Sequence, residues 1–538
     1  MNHKSKRIHL FLFVLSLIIL IPHHPFAETP QKGGDLKWVS FQFPRHFNHA
    51  IQSGTATMQP GAQLFASLLD FDQKWQPLPY LAKSWEMSKD GLTYTFHLVE
   101  NATFHDEKPI TSEDVAFSFN IVKKNHPFGI AMFAAVDRVE TPNRSTAVFK
   151  LNNPHPALFF ALSPAFLPIL PKHVYNEEEH GPIGKNPANM KPIGSGPFKF
   201  VDWKPEEYWI FERYEKYFRP GLPYIDRVIC RLIKDPNSTI MALQRGDFHL
   251  TGFSGGVRLK DLSRLKEAKH LVFTDRGYEG IGPVNTLEFN LRKSPFNDIR
   301  VRRAIAHAID RKFVNQTLHY GLTEEVTGPF HKANPFYTSD VTIYQFNLED
   351  ANKLLDAAGY PRKADGTRFS ATLDWYPGSY DNQQLLAEYL KPQLRKVGID
   401  IQLRPPVDFG TWINRISSWE YDLTMNAYFT YGDPVIGVHR IFLCDNIKKV
   451  IWTNTQGWCN KRADELLKKA TVEMNPEKRK AYYAEFQKIA TDDLPLYFTH
   501  QQALFTIHHR DLRNVGTGIW GLLSPLDNVY WKAGHEPK

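Results

Sequence analysis

The sequence predicts an α/β protein built of several lobes. Three observations lead there. The chain of 538 residues exceeds what one hydrophobic core ordinarily serves. Its composition, 42% hydrophobic and 13% aromatic, is that of a packed globular protein. Segments with the two-residue period of strands are interspersed with segments of helical period, without strict alternation.

The elements follow in chain order. Lys4, Lys6 and Arg7 precede an apolar run from Leu10 to Ile21, and "HPFA" then offers Ala27 as a small residue for cleavage. This layout predicts a secretory signal peptide over residues 1–27, too short to span a membrane. No cysteine follows the run to carry a lipid. Next, "GGDLKWVSFQF" reads as a strand with Val39, Phe41 and Phe43 on one face and Leu36 and Trp38 on the other. Leu92, Tyr94, Phe96 and Leu98 alternate likewise, and "GPFKFVDW" and "YIDRVICRLI" are further strand candidates. Thr111 and Asp114 mark a helix start, with Val115, Phe119 and Val122 on its apolar face. Val301, Ile305, Ala308 and Ile309 form the stripe of a second helix. Asn475-Pro476 caps a third, whose stripe is read as Tyr482, Phe486, Ile489 and Ala490. No repeat or low-complexity linker interrupts the chain, so the lobes are expected to pack closely, with the chain crossings as hinges.

The net charge of +8 arises from 65 basic and 57 acidic residues that are interleaved. The densest basic cluster, Arg300 to Arg303, reads as a solvated helix face, so no nucleic-acid partner is expected. Export makes the cysteines candidates for oxidation. Cys444 and Cys459 lie in one turn-rich stretch, and closing that loop contributes about 3 kcal/mol in the chain-entropy picture. Cys230 then remains as a buried free thiol, although three cysteines permit other pairings.

Enzyme signatures are absent. No His-Glu-x-x-His and no zinc-spaced Cys/His set occurs, and "GPIGKNPA" lacks a full phosphate loop. Gly194-Ser195-Gly196-Pro197 is not Gly-x-Ser-x-Gly, so a tight turn before a strand is the better reading than a serine nucleophile. The expectation is a non-enzyme with no cofactor and no metal.

Six blocks in order resemble one known family over nearly the whole mature chain. They are "KGGDLKWV", the long block from "LFASLLDFDQKWQPLPYLAKSWEM" to "ITSEDVAFSF", "PIGSGPFKF", "LEFNLRKSPFNDIRVRRAIAHAIDRKFV", "DELLKKA" and "DDLPLYFTH". The chain resembles the extracellular solute-binding proteins of ABC importers, family 5, the peptide/nickel class. It departs at Glu107, where glycine is usual, which suggests a different turn there.

The resemblance implies a periplasmic-binding-protein type II (cluster C) fold. A hinge would join lobe I (28–282, with an inserted subdomain at about 81–195) and lobe II (283–503), and residues 504–538 would return to lobe I. It implies a periplasmic monomer that captures a peptide or peptide-sized polar solute and delivers it to a cognate ABC permease. An opine, sugar-phosphate, oligosaccharide, chelated nickel or haem remains an alternative ligand, and a secreted hydrolase centred on Ser195 is the alternative of another class. Dipeptide binders of the family hold the ligand's amine with an aspartate three residues before the Asp-Pro equivalent, here Thr430, and its carboxylate with an arginine in a loop that reads "DWYPGSYDNQQ" here. Both anchors are missing. Candidate ligand contacts are Trp375, Tyr376, Ser379, Tyr380, Tyr428, Thr430 and Tyr431, by stacking and hydroxyl bonding. Arg45 and His46, after the first strand, and Asp433, in the cleft loop, complete the set. His439-Arg440 reads as a structural pair.

Overall fold

A computed structural model describes residues 29–377 and 383–534. Among the described residues the fold rests on two main sheets and an inserted one. The first sheet has seven strands, in spatial order Leu271–Thr274, Thr506–His509, Leu250–Thr251, Asp35–Ser40, Arg227–Leu232, Tyr208–Arg213 and Phe198–Lys204. The second has five, in the order Ile399–Leu403, Phe369–Trp375, Leu423–Phe429, Pro283–Phe289 and Leu496–Gln501. The chain thus passes from the first sheet to the second between Thr274 and Pro283, and returns between Gln501 and Thr506.

Each main sheet is covered on both faces. In the first strand Leu36 and Trp38 enter a core shared with the inserted sheet, while Val39 enters a separate core with Ile240 and Leu243. That two-sided burial explains the alternating apolar faces of a central strand. The strand ends at Ser40, so Phe41 and Phe43 are half-buried in the loop beyond it. In the second sheet, Pro283–Phe289 is buried along its whole length. Helices Ile299–Ala308 and Gln383–Arg395 pack on one face, and Lys461–Val472 and Pro476–Asp493 on the other.

The inserted sheet, Ala82–Met87, Thr93–Leu98, Thr146–Leu151 and Val136–Asn143, buries Tyr94, Phe96 and Leu98 on one face against helix Ser112–Asn125. That helix opens with a capping box between Thr111 and Asp114. Gly194 and Gly196 are needed where they stand. A Cβ on either would lie 1.9 Å from Leu64 O or 2.5 Å from Gln63 O, respectively. Ser195 between them is fully buried; its Oγ donates to Ile169 O and accepts from Ala66 N, both at 2.9 Å. It staples two backbone segments.

Three local expectations change. Arg300–Arg303 is not a solvated face, because Arg302 is buried and donates to the carbonyls of Leu494, Phe296 and Asp493. Burial lowers its pKa to about 10. The helix there stops at Ala308; Ile309 is extended, and Asp310 caps a new short turn. In Pro476–Asp493 the buried stripe is rotated by about one residue, to Arg479, Tyr483, Phe486, Gln487 and Ala490. Glu107 adopts φ +67°, the left-handed geometry that glycine favours. Its carboxylate pairs with Lys216 at 2.6 Å.

Cys444 and Cys459 are joined by a disulfide, with Cα atoms 4.8 Å apart. Cys230 is a buried free thiol whose pKa is pushed up by burial. Among the described residues no helix is long and apolar enough to cross a membrane.

Candidate ligand cleft at the chain crossing

The segment from Tyr428 to Arg440 leaves the second sheet and enters the core of the first. Its start runs beside the crossing. Thr430 N and Oγ1 both donate to Gly282 O at 3.4 Å, Tyr431 N donates to Ile281 O at 3.2 Å, and Gly432 N to Gly280 O at 2.6 Å. Gly282 has φ +58°, and a Cβ there would meet Thr430 Oγ1 at 3.0 Å. Thr430 is therefore buried and holds the crossing.

Beyond it, the segment forms an aromatic tongue. Tyr431 packs its ring on Phe128 (centroids 4.9 Å apart) and Phe166 (5.6 Å), both from the inserted part of the first body. Phe160 lies against Gly432, and Val435 and Ile436 join the first core. The Arg440 guanidinium sits 4.3 Å over the Phe128 ring. The two bodies thus meet through stacked rings and a cation–π contact.

Asp433 is the N-cap of the short helix Pro434–Gly437 and accepts from Val435 N at 3.0 Å. Both of its oxygens also receive Arg479, at 2.6 and 2.7 Å. Burial alone would raise the Asp433 pKa; the Arg479 charge and its bonds outweigh that and hold the carboxyl below its ordinary range. Arg479 is itself fixed by Ala470 O and by the rings of Phe336 and Tyr483. His439 bonds Tyr483 OH at 3.0 Å, and burial lowers its pKa to about 3. His155, from the inserted side, is also depressed by burial and feels both Asp433 and Arg479. His126 is lowered to about 3, chiefly by burial, with His49 and Arg440 adding to it.

The aromatic candidates divide. Tyr428 is buried, and its hydroxyl bonds the buried Glu288, which also accepts from Asn426 Nδ2 at 2.7 Å and Thr455 Oγ1 at 3.2 Å. Trp375 ends its strand inside the second core. Tyr376 is half-buried, edge-on to Phe409 (5.5 Å) and Trp412 (5.4 Å), and its N donates to Met425 O. Ser379 and Tyr380 lie outside the described residues. Arg45 is exposed, and His46 accepts from Asn48 N at 3.2 Å in the turn after the first strand. So the structure gathers Thr430, Tyr431 and Asp433 at the crossing and places Trp375 and Tyr376 beside Met425.

The residues that sequence reasoning missed are Phe128, Phe166, His126, His155 and Arg479. Arg479 carried a signal: it stands four positions before Tyr483, on the face that is buried.

Comparison with known proteins agrees with this architecture. The oligopeptide-binding protein AppA of Bacillus subtilis is 28% identical over 483 residues, covering 87% of this chain and 86% of its own. Di/tripeptide-binding protein 3 of Pseudomonas aeruginosa is 26% identical over 507 residues, 89% and 91% of the two chains. Among solved structures, B. subtilis AppA in complex with a nonapeptide superposes with TM-score 0.79 at 25% identity, covering 94% of this chain and 100% of its own. The family model of the bacterial extracellular solute-binding proteins, family 5, matches residues 76–449, and the chain belongs to that family.

Proposed function

We propose that the protein is the exported receptor of an ABC importer. In this reading it captures a peptide longer than a dipeptide between its two bodies and presents the closed form to a permease. One observation carries the reading: the tongue offers no open carboxylate for a ligand's amino terminus. Asp433 is committed to Arg479, Thr430 stands where an ammonium anchor would be, and the loop 375–382 contains no arginine. A desolvated terminus without a partner is costly, so recognition would rest on the ligand's backbone and side chains. The peptide ligands of AppA and of the Pseudomonas relative support the class.

The division into 28–282, 283–503 and 504–538, with a signal peptide over 1–27, belongs to the same proposal. The passage of the chain between the two sheets supports it. Closure about the crossing would trap the ligand, which would favour that state by differential affinity. Tyr376, Tyr431 and Trp375 remain the proposed contacts, and Tyr428 and Asp433 act behind them.

The test is mass spectrometry of ligand released from the purified protein, followed by titration with peptides of increasing length. Acetylated and amidated peptides should bind within roughly tenfold of their free-ended counterparts. Loss of binding on blocking the termini, or release of a non-peptide solute, would overturn the reading.

A further inference from the structure

A second cavity lies wholly on the first body. It measures about 420 Å³, within the range of small-molecule sites. Its walls come from residues 70–72 and 78–79, Arg219 and residues between 514 and 528, and among the described residues none of the second sheet's body lines it. Its charges are Asp70, Asp72, Asp527 and Arg219.

Two of these are matched to each other. Arg219 Nη1 lies 3.0 Å from Asp527 Oδ2, its Nη2 donates to Pro79 O at 2.7 Å, and its plane stacks 4.5 Å from Tyr80. Asp527 also accepts from Tyr217 OH at 3.0 Å. Asp72 is half-buried and closes its own turn through Lys74 N and Gln76 N. Asp70 differs. Both donors that reach it, Phe71 N and Ser524 Oγ at 2.8 Å each, bond Oδ1. Among the described residues Oδ2 has no donor, and no cation pairs with the carboxylate. Burial pushes its pKa up to about 6, against the pull of those two bonds and of Arg219; Asp527 adds to the rise, and Tyr80 is the other titratable neighbour.

We propose that this cavity is a ligand site separate from the interlobe cleft, taking the protonated amine of a small organic cation on Asp70. A half-buried carboxylate with one oxygen bonded and the other without a donor gains from a directly bound cation, beyond the through-space pull of Arg219. Glycine backbone at Gly516 and Gly521, with φ +69° and +52°, forms part of the wall.

The probe is 1,4-diaminobutane, with 1-butanol as its neutral and butyrate as its anionic counterpart, followed by saturation-transfer NMR and calorimetry on the purified protein. The diamine should bind and the other two should not. Asp70→Asn should weaken it by roughly 10- to 100-fold, the loss of one charged hydrogen bond, and leave peptide binding in the cleft unchanged. Leu78→Arg, at the exposed rim, keeps Asp70 and places a rival cation at the mouth, so it should also abolish binding. Protonation of Asp70 competes with the amine, so affinity should fall about tenfold for each pH unit below 6. Equal binding of butanol, no binding of the diamine, or diamine binding that survives both substitutions would each overturn the site. None of these outcomes bears on the peptide reading, which has its own assay.

Discussion

The tongue and the outer cavity each place an aspartate beside an arginine, and they differ in what remains open. At the tongue, Arg479 takes both oxygens of Asp433, and the helix start takes one of them again. In the cavity, Arg219 is drawn to Asp527, and Asp70, on the cavity wall, keeps one oxygen without a donor among the described residues. The first arrangement is a joint; the second has the form of a receptor. A buried carboxylate is informative about function only once its partners are counted, because a closed pair holds structure and leaves nothing for a ligand.

The strongest way to break this comparison is to open the joint. Arg479→Met should leave Asp433 buried and unpaired, at a cost of about 3–5 kcal/mol. Denaturant unfolding would measure it. Asp433→Asn should cost less, because it leaves Arg479 with Tyr483 OH and Ala470 O. If Arg479→Met unfolds like the parent, the pair does not hold the tongue.

Next comes the disulfide, which ties the stretch just beyond the tongue to Cys459. Reduction should lower stability by about 3 kcal/mol in the chain-entropy picture. Thiol titration must confirm that the bond is open, and an unchanged melting curve would then count against it. Peptide affinity should change less than stability does, since the bond lies wholly within the second body.

How much of this was legible in the sequence depends on the range of the interaction. The strand with Tyr94, Phe96 and Leu98 and the Thr111–Asp114 capping box were legible, because period and capping are local. Asp433, read as a ligand candidate in the cleft loop, is a helix cap closed by an ion pair. Its partner was not legible: Arg479 is 46 positions away, in a helix whose buried face was misjudged by one residue. Tyr428 looked like a stacking surface, but Glu288, 140 positions earlier, claims its hydroxyl. Arg302 looked solvated because nothing nearby shows that three carbonyls converge on it. Asp70 stood inside the most recognisable block of the chain and gave no signal, since a cavity has no sequence pattern.

Tyr428→Phe sharpens the comparison from the other side. It removes one donor from Glu288, whose pKa burial has already raised, and leaves Asn426 and Thr455 in place. The expected loss is about 1–3 kcal/mol, read by chemical denaturation, with peptide affinity nearly unchanged. A large loss of affinity with little loss of stability would return Tyr428 to the ligand surface.

The last test uses pH, where the joint and the cavity carry opposite signs. His126 and His439, at the joint, have pKa values lowered to about 3, and His49 to about 4, all chiefly by burial. Above pH 6.5 they are neutral in both folded and unfolded chains and exert no pull. As pH falls below 6.5 the unfolded chain takes up protons that the folded chain refuses, so stability declines toward pH 4. Each histidine contributes at most about 1.4 kcal/mol per pH unit. Asp70 runs the other way. Its folded pKa of about 6 exceeds the unfolded value of 3.8, so the folded chain binds that proton more tightly. Its contribution is present at low pH and is lost as pH rises through 6. Asp70→Asn should therefore steepen the net loss of stability between pH 6.5 and 4, while His126→Asn should flatten it. Melting temperatures measured across that window separate the two, and a parallel shift in both variants would mean that neither group titrates as its surroundings dictate.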